Sequence, residues 1–63
     1  MAKVVFSERV VDLPAGSTIQ EAVSAAGEHP DAFIFLIGGR PVPMDTVPPE
    51  DAEVRAMRVA SGG

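Results

Sequence analysis

Few residues in this 63-residue chain have the type and spacing to do chemistry. With no cysteine, thiol nucleophiles, disulfides and cysteine-held metal centres are excluded. His29 is the only histidine, and it lies before Pro30 with no second ligand at metal spacing. It therefore reads as a loop surface residue. A Ser-His-Asp arrangement cannot be argued from a single histidine so placed. Glu50, Asp51 and Glu53 fall in a turn-rich stretch that reads as solvated. Gly38-Gly39-Arg40 lacks the Gly-Lys-Ser/Thr ending and the following helix of a phosphate-binding loop. What remains is the end of the chain, "VRAMRVASGG". Apolar and basic residues alternate into Ala60 and Ser61, and then come Gly62 and Gly63. Either this tail is an idle end, since termini are often small-residue-rich, or its carboxylate is the working group.

Size and charge narrow the classes further. A chain this short buries only about 60% of the surface its unfolded form exposes, so it is expected to form one compact domain. Nine acidic and five basic residues give a net charge of −4. That argues against direct nucleic-acid binding, which needs a basic patch. It suits a soluble protein that docks on a basic partner. The strongest apolar run, "AFIFLI", is far shorter than the about 20 residues of a membrane span. No signal-peptide pattern precedes it. A soluble, cytoplasmic monomer with no metal is expected.

The elements that must position the tail follow from local patterns. "KVVF" and "RVVDL", separated by Ser7 and Glu8, predict a hairpin. Thr18, three residues before Glu21, predicts a capping box. Ile19, Ala22, Val23 and Ala26 recur on one helical face. Gly27 is placed to close that helix. "EHPD" predicts a loop, and "AFIFLI" a strand. Gly38-Gly39 predicts a turn into "RPVP", which its prolines confine to a sheet edge. "MDTVPPED" is turn-rich, and "EVRAMRVA", residues 53–60, predicts the last strand. One helix covers only one face of a sheet, so the class is α+β in two layers. The order fits a β-grasp: a mixed sheet of four to five strands, its first and last strands side by side, with one helix packed on one face. The domain spans residues 1–59, and 60–63 form a flexible Gly-Gly tail.

This order and ending resemble the ubiquitin-like sulfur carriers and small modifiers. That group includes the molybdopterin-synthase small subunit, the thiamin-pathway sulfur carrier and the archaeal ubiquitin-like small modifier proteins. The resemblance rests on "FLIGGRPVP", residues 35–43, and on "VRAMRVASGG". It implies that an E1-like enzyme uses ATP to adenylate the Gly63 carboxylate. The product then becomes a thiocarboxylate for sulfur transfer, in tRNA thiolation or molybdopterin biosynthesis, or is joined to a target lysine. Gly62 would be the slim neighbour that lets the tail thread a narrow channel, since glycine has no Cβ to clash. The chain itself would bind no cofactor and would not be an enzyme. Its partners would be the adenylating enzyme and a sulfur acceptor or target protein. Lys3 is the only lysine, which leaves few sites for self-linked chains.

The faces of the sheet supply the second candidate site. Side chains alternate across a strand, so Phe33, Phe35 and Ile37 share one face, and Ile34 and Leu36 the other. With the helix on the phenylalanine side, Val54 and Ala56 point in and Arg55 and Met57 point out. By position this resembles the apolar docking patch of ubiquitin. Ile34, Leu36 and Met57, flanked by Arg55 and Arg58, are expected to dock on the activating enzyme. Otherwise loop 44–52 folds over that face and buries it. The rival functional reading is a β-grasp adaptor that binds partners through its sheet and uses no tail chemistry.

Overall fold

A computed structural model of the chain describes residues 1–59. Five strands and one α-helix follow in the order β1 (Ala2–Val5), β2 (Val10–Leu13), α1 (Ile19–Ala25), β3 (Phe33–Ile37), β4 (Arg40–Val42) and β5 (Glu53–Arg58). The sheet is mixed, with spatial order β2-β1-β5-β3-β4. β1 and β5 lie side by side in parallel, and every other pairing is antiparallel. The protein is thus a small α+β structure with a mixed five-stranded sheet and one helix.

The helix ends where the sequence says it should. Thr18 Oγ1 accepts from the Glu21 N–H at 3.1 Å, and the Glu21 carboxylate accepts from the Thr18 N–H at 2.8 Å. The two N–H groups before Glu21 are satisfied from outside the helix. Ile19 donates to the Thr46 carbonyl at 3.0 Å and Gln20 to the Met44 carbonyl at 2.8 Å. The first helical N–H groups otherwise lack partners, so loop 44–52 packs against the helix start. At the other end, Gly27 N–H donates to Ser24 and Glu28 N–H to Val23. This doubly bonded closure needs a left-handed residue, and Gly27 supplies it at φ 87°. The stripe Ile19, Ala22 and Val23 is buried, with Ala26 half-buried. It packs with Ala2, Val4, Phe6, Leu13, Phe35, Val54 and Ala56 into one core.

Three local features depart from the sequence pattern. Pro30–Ala32 close a short 3₁₀ turn, so β3 starts at Phe33. β5 ends at Arg58 instead of running to residue 60. Val59 still donates to the Ala32 carbonyl at 3.0 Å and so prolongs the pairing by one bond. Ala60 lies outside the described residues. The third feature is Asp51, which adopts φ 68° and aims its carboxylate at the Met1 ammonium, 2.9 Å away. Aspartate tolerates this region better than most residues.

This exposed pair holds the Met1 ammonium above its usual pKa and Asp51 below its own, through their hydrogen bond and then their mutual charge. The acid's contribution is present above the unfolded carboxylate pKa and fades as pH falls through the lowered folded value. The amine's contribution is present below the unfolded amine pKa and fades as pH rises through the raised folded value. Both are complete only between the two ordinary pKa values, 3.8 and 8.0. We expect Asp51→Asn to flatten the melting temperature's dependence on pH at both edges of that window. An unchanged pH profile would show that the pair contributes nothing.

The β1–β2 turn is also pinned. Phe6 N–H donates to the Arg9 carbonyl at 2.8 Å. The Arg9 side chain donates to the Ala26 carbonyl at 2.9 Å and to Glu28 at 3.0 Å, with its guanidinium 5.6 Å from the Phe6 ring centre. A cation at a helix C-terminus, a partly exposed ion pair and a ring contact each contribute a few tenths to about 1 kcal/mol. Arg9→Ala is therefore expected to lower the melting temperature by roughly 4–8 °C, as about 1 kcal/mol does in a domain this small. Calorimetry measures it directly.

Candidate functional site

The helix lies on the face that carries Phe35, Val54 and Ala56, all buried. The strand register defines what stands on the other face. In β3 and β5, Ile34 sits opposite Met57 and Leu36 opposite Arg55. Arg55 in turn neighbours Val5 of β1, which faces Val10 of β2. On the far side, Leu36 faces Pro41 of β4. One row across the sheet therefore reads Val10, Val5, Arg55, Leu36, Pro41, with Met57 and Ile34 beside it. A second row, Asp12, Lys3 and Glu53, carries charges of both signs at the opposite end.

This face is open. Ile34 is 46% exposed, Met57 52% and Val10 57%. Loop 44–52 does not cover it, because its carbonyls are engaged at the helix start and Met44 and Ala52 pack against the core. Among the described residues Arg55 has no acidic partner within ion-pair distance. Arginine is one of the residues in which binding energy concentrates at protein interfaces.

The structure thus brings Ile34, Leu36, Met57 and Arg55 together. Arg58 is a correction. It pairs with Phe33, so strand alternation turns it toward the helix side, where its guanidinium lies 5.0 Å from the Phe33 ring centre. It does not flank the open face. Val5, Val10 and Pro41 belong to the face as well. Val5 shares a face with Lys3, two residues before it, which hints at the first, but the register that joins all three to Leu36 is long-range. Gly62 and Gly63, the proposed reacting dipeptide, lie outside the described residues.

A groove of about 470 Å³ opens beside the end of β5. Val5, Phe6, Ser7 and Glu8 line one wall, and Arg55 through Arg58 the other. Among the described residues no helix is long and apolar enough to cross a membrane, and no three acidic or histidine side chains cluster to hold a metal ion. Neither any family model nor any curated protein matches this chain.

Proposed function

We propose that the protein is a ubiquitin-like carrier on a β-grasp fold whose Gly63 carboxylate is the reacting group. The observation that carries this reading is the placement of the last strand. β5 lies between β1 and β3, parallel to the former, and its last described residue, Val59, is tied to Ala32. Ala60, Ser61, Gly62 and Gly63 follow Val59 in the sequence. The tail therefore starts from a residue that is hydrogen-bonded into the sheet on its β3 side.

The chemistry needs a partner. A carboxylate does not react with nucleophiles until one of its oxygens becomes a leaving group. An E1-like enzyme supplies this step: the Gly63 carboxylate attacks the α-phosphorus of ATP and pyrophosphate leaves. A sulfide nucleophile then displaces AMP to give a thiocarboxylate, or a target lysine amine displaces it to give an isopeptide bond. The thiocarboxylate would serve sulfur transfer of the kind used in tRNA thiolation or molybdenum cofactor synthesis. The carrier contributes reach and a docking face, while catalysis belongs to the partner. Ile34, Leu36, Met57 and Arg55 form the docking face in this reading. The exposure of Ile34 and Met57 beside half-buried Leu36 supports it, since contiguous exposed apolar area marks protein contacts.

The exposed face would serve equally well in an adaptor that binds partners without tail chemistry. One residue added after Gly63 separates the two. The carrier reading expects ATP–pyrophosphate exchange with the adenylating enzyme to fall to background while the fold is unchanged. Undiminished exchange by the extended chain would contradict it.

A further inference from the structure

The pairing of β5 with its two neighbours is unequal. On the β3 side it runs through Arg58, and Val59 adds a bond to Ala32. On the β1 side it stops at Val5 opposite Arg55. There β1 turns away through Phe6, and Arg9 holds the turn against the helix C-terminus at Ala26 and Glu28. Ala56, Met57 and Arg58 thus continue beyond β1 with a groove of about 470 Å³ in the place where β1 would have gone.

Backbone polar groups of successive strand residues point to opposite neighbours. Val59 N–H points to β3, so Arg58 directs its N–H and C=O away from β3 and into the groove. Among the described residues no strand pairs with β5 there beyond Arg55, and a free strand edge is a template for an extended chain. The groove walls fit the same occupant. Phe6, Phe33, Ala56 and Met57 offer apolar surface for alternate side chains. The β5 wall carries Arg55 and Arg58; on the other side Glu28 is engaged by Arg9, and Glu8 at the β1–β2 turn is the remaining acidic residue of the lining.

We propose that an extended segment of the activating partner enters this groove and pairs with the backbone of Arg58, an acidic side chain of that segment facing the Arg58 guanidinium. The added strand takes the place β1 vacates and fixes the direction in which the tail leaves the domain. Main-chain pairing of this kind gives affinity, and the flanking side chains give selectivity. The proposal rests on the carrier reading, because it is the activating enzyme that must orient the tail.

Two measurements test it. In the free protein, amide exchange at Arg58 should be at least tenfold faster than at Met57, whose N–H points to β3. Equal protection would show that the edge is already occupied and would overturn the proposal. With the adenylating enzyme of the source organism, Arg58→Ala removes the side chain alone, whereas Arg58→Pro also removes the N–H. Proline is tolerated at a strand position whose N–H is free. Arg58→Ala should slow pyrophosphate exchange a few-fold, and Arg58→Pro at least tenfold further. Equal rates for the two variants, with wild type active, would overturn the strand pairing and leave the carrier reading standing. If wild type shows no exchange while Gly63 is the free terminus, the carrier reading fails and this proposal falls with it.

Discussion

Phe35→Ala is expected to leave the protein largely unfolded at 37 °C. Phe35 is 2% exposed, stands opposite Ala56 and Val42 in its two strand pairings, and lies 6.2 Å from the Phe33 ring centre. Truncating a buried phenylalanine costs about 3–5 kcal/mol. At about 0.05–0.15 kcal/mol per residue, a domain of this length has only some 3–9 kcal/mol in total. Ile19, Val23 and Val54, which belong to the same core, are themselves fully buried and leave little room for collapse into the cavity. Loss of the cooperative melting transition would confirm the effect. A melting temperature within a few degrees of wild type would mean that the core closes over the gap.

One position along the same strand the expected outcome reverses. Leu36→Gln should barely alter stability and should reduce activation by about tenfold, the equivalent of about 1.4 kcal/mol of lost partner contact. Leu36 is half-buried at the centre of the open face, between Arg55 and Pro41. Arginine would be a poorer replacement there, because like charges directly opposite on adjacent strands destabilise a sheet and Arg55 occupies that opposite position. Glutamine keeps the length of the side chain and removes its apolar end. Stability is read by thermal melting and activation by pyrophosphate exchange at limiting carrier. Normal exchange by a folded Leu36→Gln protein would remove the open face from the docking surface.

The contrast between these neighbours was legible in the sequence, because it depends on a period of two and on the choice of which face the helix covers. The capping box at Thr18 and Glu21 and the closure at Gly27 were equally legible, since each is satisfied within a few residues. So was the Gly38-Gly39 turn: Ile37 pairs with Arg40 across a two-residue loop, both glycines have positive φ, and such a loop demands it. What escaped sequence reading was long-range. The course of loop 44–52 depends on Ile19 and Gln20 finding carbonyls at Thr46 and Met44. The role of Arg9 depends on helix-end groups 17 and 19 residues away. Arg58 was misplaced although alternation from Ala56 assigns it to the helix side. Sequence reading set Arg58 beside Arg55 on one surface, and the two faces of the strand divide them. The length of the β1–β5 pairing, from which the free edge at Arg58 follows, cannot be read from either strand alone.

The central claim is that the carboxylate of Gly63 is a reagent, and intact mass measures that directly. The protein, ending at Gly63, is incubated with the adenylating enzyme, ATP and sulfide, and then weighed with and without each component. The carrier reading predicts a gain equal to the exchange of one oxygen for one sulfur, dependent on both enzyme and ATP and located by fragmentation to the last residue. An unchanged mass, with the enzyme shown active on a carrier of its own, would contradict it.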